Sequence, residues 1–188
     1  MLKKITTSNA SWTELNGFKH GEFVSYRDNG HLDEHCFYRN GDLHGEYKLY
    51  RTNGRLYKHH FYKDGELHGE SLIYHEDGSK LASRNYKDGE LHGKYETWFF
   101  NGNREASCIY ERGQKQGKYI QYYENGNLHL DLLYKDNQEI GNHRIYSNDG
   151  RLYEYRVYNS NGEYKLKAKS SPIWLIFVGV IFVFLFFT

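Results

Sequence analysis

Polar and apolar positions in this chain recur every 24 residues. Residues 45–51 (Gly-Glu-Tyr-Lys-Leu-Tyr-Arg) alternate like a strand, Thr52-Asn53-Gly54 interrupt them, and Leu56 to Tyr62 (Leu-Tyr-Lys-His-His-Phe-Tyr) reads as the return strand. Period-two alternation puts Tyr47 and Leu49 on one face and Lys48 and Tyr50 on the other, and on the return strand Leu56 and Tyr62 oppose Tyr57 and Phe61. Aromatic side chains thus fall on both faces, whereas a sheet packed on one side only alternates more cleanly. The expected unit is a β-hairpin. Asn53-Gly54 is expected to form its type I′ turn, with Lys63 to Gly69 as a longer turn to the next unit.

Five columns of residues keep this period. Gly21, Gly45, Gly69, Gly93 and Gly117 form the first, continued by Gly141, and Gly30, Gly54, Gly78, Gly102 and Gly126 the second, continued by Gly150. Glycines at 17, 41, 65, 89 and 113 pass into Asn137 and Asn161. Tyrosine holds positions Tyr38, Tyr62, Tyr86, Tyr110, Tyr134 and Tyr158, and an aromatic ring stands at Tyr26, Tyr50, Tyr74, Trp98, Tyr122 and Tyr146. These glycines and tyrosines are the residues expected to hold the repeat together. The pattern predicts an all-β fold: an elongated, single-layer antiparallel meander of about six hairpins and about twelve strands, each stabilised mainly by its neighbours. At strand spacing it would extend roughly 60 Å. Residues 1–15 are expected to cap its first edge, 16–164 to form the array, 165–171 to be a short basic linker and 172–188 a transmembrane helix.

Composition supports this reading. Tyr (19) and Gly (19) are abundant, as suits a half-exposed β surface better than a thick aliphatic core. Charge is nearly balanced, with 25 Lys+Arg against 24 Asp+Glu, which argues against a nucleic-acid partner. Cys36 and Cys108 are the only cysteines, at the same position three repeats apart, so a disulfide within one molecule is not expected.

The run at 40–56, Asn-Gly-x-Leu-His-Gly-x-Tyr-x-x-Tyr-x-x-Asn-Gly-x-Leu, returns with variations at 64–80. It resembles the MORN repeat superfamily, in the 24-residue variant found in bacterial antitoxin-like and large-DNA-virus proteins. The resemblance covers about residues 16–164. It implies a β-hairpin array used for protein contact, scaffolding or membrane association.

The C-terminal run from Ile173 to Phe187 carries no charge, and Trp174 sits where an interfacial ring would. Lys165, Lys167 and Lys169 precede it. The expectation is a tail-anchored protein, residues 1–170 facing the cytosol, with weak lipid head-group contact at these three lysines. A glycolipid-anchor signal at Ser160-Asn161-Gly162 needs translocation, and the residues after Met1 show no apolar run of a secretory leader.

Candidate chemistry is sparse. His20, His44, His68 and His92 form a column, but members one hairpin apart stand roughly 10 Å from one another, too far to share a zinc ion. His59 and His60 point to opposite faces of a strand. Glu22, Glu46 and Glu70 give way in their column to Lys94 and Lys118, which suggests charge pairing between repeats or a solvated edge. The nucleophile-elbow, phosphate-loop, dinucleotide and zinc-protease signatures are absent from the sequence. No catalytic, metal or cofactor site is expected. The expected role is a non-enzymatic, membrane-tethered protein-interaction scaffold. The alternatives are a lipid-surface tether and an antitoxin-like or glycan-binding protein.

Overall fold

The computed structural model describes residues 1–170, and every regular element in them is a strand. The expected transmembrane helix at 172–188, with Ile173, Trp174 and Phe187, lies outside the described residues. The strands are β1 (Leu2–Thr6), β2 (Ala10–Leu15), β3 (Phe18–Tyr26), β4 (Leu32–Arg39), β5 (Asp42–Tyr50), β6 (Leu56–Lys63), β7 (Glu66–Leu67), β8 (Gly69–Tyr74) and β9 (Lys80–Lys87). The second half continues with β10 (Glu90–Trp98), β11 (Arg104–Glu111), β12 (Gln114–Tyr122), β13 (Leu128–Lys135), β14 (Gln138–Glu139), β15 (Gly141–Tyr146), β16 (Leu152–Tyr158) and β17 (Tyr164–Lys169). All 17 belong to one sheet. Each pairs antiparallel with its neighbours in the chain, from β1 on β2 to β16 on β17. Both β7–β8 and β14–β15 are single strands interrupted at one residue, and with each pair taken as one, residues 18–158 supply the twelve expected strands.

The ends differ from the expectation. Residues 1–15 do not cover an edge; they add a hairpin, β1–β2, and β1 becomes the edge itself. Nor are residues 165–169 a linker, since Lys165-Leu-Lys-Ala-Lys169 alternates with period two and pairs with β16 as the last strand.

The turns exchange the roles read from the sequence. Asn40 (φ 53°) and Gly41 (φ 99°) stand between the paired residues Arg39 and Asp42, which is the two-residue type I′ hairpin. Asp64-Gly65, Asp88-Gly89, Arg112-Gly113 and Asp136-Asn137 repeat it, so the tight turns join one repeat to the next. At Asn53-Gly54 only the glycine has positive φ, 79°. There the Arg51 N–H donates to the Arg55 carbonyl at 2.8 Å and the Gly54 N–H to the Arg51 carbonyl at 2.9 Å, giving a three-residue loop with its left-handed residue last. Asn53 Oδ1 accepts the Arg55 N–H at 3.0 Å, so the asparagine serves as a side-chain acceptor instead of supplying a left-handed backbone.

The segment expected to be a long turn contains a bulge. Cys36 pairs with Tyr47 and Tyr38 with Leu43, so His44 to Glu46 oppose Phe37 alone. Gly45 holds φ 98° at this point, and on its other side it pairs with Tyr62. The first glycine column and the tyrosine column are therefore register partners: Gly21 with Tyr38, Gly69 with Tyr86, Gly93 with Tyr110, Gly117 with Tyr134 and Gly141 with Tyr158.

Cys36, Tyr47 and His60 are opposite one another on successive strands and define an inner face. Phe23, Cys36, His60, Ser71, Ala82, Ala106, Cys108, Leu132 and His143 are buried on it. With no second layer in the described sheet, the rings and long side chains of flanking strands provide the cover. Glu22, His35, Phe37, His59 and Phe61 occupy the outer face.

Gly45→Ala should cost about 1–2 kcal/mol, because an L side chain at that φ is strained whatever space surrounds it. Gly54→Asn should cost only a few tenths, about the penalty that asparagine meets in the left-handed region. Urea unfolding of the two variants beside the parent checks the contrast, and equal losses would refute the bulge assignment.

Candidate interaction surface

On the inner face five of the six tyrosines of the Tyr38 column meet the ring two places beyond their glycine; for Tyr86 that residue is Ser71. Tyr38 stands edge-on to Phe23 (5.9 Å, 77°), Tyr62 to Tyr47 (5.7 Å, 68°) and Tyr134 to Tyr119 (6.1 Å, 78°). Tyr110 meets Tyr95 at 5.7 Å and Tyr158 meets His143 at 4.4 Å. Each such pair contributes about 0.5–1.5 kcal/mol beyond the area it buries. Burial, the largest cause, pushes the phenols of Tyr38 and Tyr110 up to about 12, and those of Tyr47 and Tyr134 move the same way. These four phenols are therefore neutral at any physiological pH. Ammonium groups sit on the ring ladder: Lys19 Nζ is 4.0 Å from the Phe23 ring centre, and Lys115 Nζ is 5.0 Å from that of Tyr134.

Both cysteines also face inward as free, buried thiols. Burial, followed by the nearby Glu34 carboxylate, drives the Cys36 thiol up to about 12, which removes it from thiolate chemistry. His60 stacks on Tyr47 (6.0 Å, 14°) and its Nδ1 lies 2.7 Å from Ser71 Oγ.

The outer face is polar and ordered within each hairpin. His35 Nε2 lies 2.9 Å from Glu22, His59 Nε2 2.8 Å from Glu46, and Ser83 donates to Glu70 at 2.9 Å. Lys94 reaches Glu96 at 2.8 Å and Lys118 reaches Asp131 at 3.6 Å. The Glu-to-Lys column does not pair between repeats; each member takes its partner from its own hairpin, because the register brings those groups closer than any in the next repeat. Such exposed pairs are worth about 0–1 kcal/mol. His59 and His60 do take opposite faces.

The histidine column has a local backbone role. His20 Nδ1 accepts the Asn40 N–H at 3.3 Å, His44 Nδ1 the Asp64 N–H at 3.2 Å, and His68 Nδ1 the Asp88 N–H at 3.4 Å. Each satisfies the first left-handed residue of the next tight turn. Among the described residues no three metal-ligating side chains gather.

The opposite turn edge is tied from repeat to repeat. Arg27 and Arg51 donate to the Tyr50 and Tyr74 carbonyls at 2.7 Å, 23 residues on, and Asn101 and Asn125 reach the carbonyls of Glu124 and Asn148 at 2.9 and 3.0 Å. The recurring Asn before Gly was visible in the sequence; its reach to the next loop was not. Clefts also follow the turn edges, one of them lined by Lys87, Asp88, Glu90, His92, Glu111 and Arg112. Lys165, Lys167 and Lys169 stand on the fully exposed edge strand β17 beside Tyr164 and Leu166.

This geometry defines a class, the open β-hairpin repeat array. The family model for the MORN repeat variant matches residues 19–40, 43–64, 67–88 and 115–136, so these four segments are MORN-type repeats. All four matched segments end on the Asn or Asp that opens a tight turn. Between the third and fourth, 91–112 has the same hairpin but ends on Arg112, and after the fourth, 139–160 ends on Ser160, where Gly162 rebuilds the connection as a three-residue loop. No curated protein matches the chain. Among solved structures, 51% of it is similar to a chain in the crystal structure of accessory secretory protein 1, 2 and 3 in Streptococcus pneumoniae, at 18% identity and a TM-score of 0.33. The match spans 18% of that chain.

Burial holds the His60 imidazole down to about 4, against 6.5 when free. The unfolded chain therefore takes up a proton first. The contribution of neutral His60 to stability is complete above about pH 6.5 and is lost as pH falls towards 4. Urea midpoints should drop across this window in the parent and drop less in His60→Gln; parallel pH profiles would refute the assignment.

Proposed function

We propose that this repeat protein is a non-enzymatic scaffold that presents its array from a membrane and binds protein partners through side chains that vary from repeat to repeat. The observation that carries the reading is the sheet itself: among the described residues a single layer, with both faces and two edges open, offers a long surface. Invariant positions are used to build the hairpins, which leaves the variable ones, such as the outer-face series Phe37, Phe61, Asn85, Ile109, Leu133 and Val157, to choose a partner. Tethering rests on the uncharged run from Ile173 to Phe187. Residues 1–170 then face the cytosol.

A second reading has its own support. The lysines of β17, with Tyr164 54% and Leu166 46% exposed beside them, immediately precede that run and suit an anionic lipid surface.

In cells, the full chain should stay with membranes through alkaline carbonate extraction, and a variant lacking 172–188 should leave them. On those membranes, cross-linking should join the full chain to a discrete protein, and an array with shuffled repeat order should lose the product. Free extraction of the full chain would sink the tether. Cross-links indifferent to repeat order would sink the scaffold. Substituting Lys165, Lys167 and Lys169 by Gln should leave the cross-links intact and, on the second reading alone, weaken binding to phosphatidylserine vesicles.

A further inference from the structure

The inner face holds one guanidinium without a partner. Arg84, on β9, lies between Ser71 on one neighbouring strand and Tyr95 on the other. Its Nε is buried without a hydrogen-bond acceptor, and among the described residues the side chain forms no ion pair. The guanidinium carbon lies 5.5 Å from the centre of the Tyr95 ring. Arg27 and Arg51 also leave Nε unpaired, but each donates from its terminal nitrogen to a loop carbonyl.

The repeat shows what is missing. Arg156 occupies the position of Arg84 three repeats later and is paired with Glu154, two residues earlier on its strand. The equivalent of Glu154 beside Arg84 is Ala82. Along that column Glu34 and Glu154 carry the carboxylates, while Lys58, Ala82, Ala106 and Leu130 fill the positions between them. Ser71 widens the gap, because it stands where Phe23, Tyr47, Tyr95 and Tyr119 place rings in other repeats, and its hydroxyl is already engaged by His60. The middle of the inner face thus offers a planar cation beside Tyr95, with Lys115 further along held on rings instead of a carboxylate.

We propose that Arg84 receives an Asp or Glu side chain of a partner polypeptide lying across the inner face, the carboxylate taking the place that Glu154 fills for Arg156. This rests on the scaffold reading and gives it a site and a partner chemistry. A guanidinium matches a carboxylate through two parallel hydrogen bonds, and the pair gains strength where flanking rings exclude water. Leaving such a cation unpaired costs the free protein stability, the usual sign of a group retained for binding.

The test uses the full chain in neutral detergent and a fluorescein-labelled deca-glutamate peptide, with deca-glutamine, inorganic phosphate and phosphatidylserine vesicles for comparison. The parent should bind deca-glutamate in a salt-sensitive manner and ignore deca-glutamine. Arg84→Gln should weaken binding at least about tenfold, the scale of a lost charge-assisted hydrogen bond, and Arg84→Lys should restore part of it. Arg84→Leu, which copies Leu132 at the same repeat position, should bind no better than Gln yet melt no lower than the parent. Unchanged peptide binding in Arg84→Gln would overturn the proposal. So would a lower melting temperature in Arg84→Leu, which would make the guanidinium a structural group, or capture of phosphate or vesicles in preference to peptide. If the peptide fails while membrane cross-links still depend on repeat order, this site falls and the scaffold stands.

Discussion

The structure depends on one cross-strand pairing, a glycine at positive φ opposite a tyrosine. At Gly45 the chain makes a bulge at φ 98° that only a residue without a side chain enters without strain, and across the strand Gly45 is paired with Tyr62. The ring then reaches Tyr47, two residues further along the opposite strand. The glycine–tyrosine pairing recurs at each of the six glycines, and the ring contact at five of them, the exception being Gly69 with Ser71 two places on. The tyrosine is therefore tied to the glycine through register: the bulge sets which residue of the opposite strand the ring meets.

A single-layer sheet has to be held without a core on its far side. Here the work is divided by position. The inner face supplies ring contacts and the buried small residues; the outer face supplies hydrogen bonds within each hairpin; the two turn edges tie each repeat to the next. On one edge the His44 imidazole satisfies the N–H of Asp64, and on the other the Arg51 guanidinium holds the Tyr74 carbonyl. Stability in such an array is carried chiefly by nearest neighbours, so single repeats can lose an ion pair or a ring, as the third does at Ser71, without loss of the fold. The outermost strands, which have no neighbour on one side, carry Lys3 and Lys4 at one end and Lys165, Lys167 and Lys169 at the other. Lysines on an open edge oppose pairing with a second sheet and so disfavour growth of the array by edge addition.

Much of this was legible in the sequence because the repeat is free of insertions. The period of 24 gave the number of hairpins, and alternation placed His59 and His60 on opposite faces. Composition, with its many rings and few aliphatic side chains, indicated a thin sheet. Tyr and Gly columns marked the structural positions because each hairpin solves the same local problem.

What the tertiary structure decided was register. A sequence shows that Asn53-Gly54 favours a turn, but which turn depends on where the flanking strands stop pairing, and Tyr50 with Leu56 leaves five residues between them. The bulge at Gly45 belongs to the same class of fact, since it is defined by three residues opposing one on another strand. Residues 165–169 became a strand because β16 presents an unpaired edge there. The solitary state of Arg84 was equally hidden, for its partner could be missed only once the strands showed which residues stand beside it. Local propensity and period are properties of the chain alone, whereas register, burial and the absence of a counter-charge are relations between strands that the sequence does not place side by side.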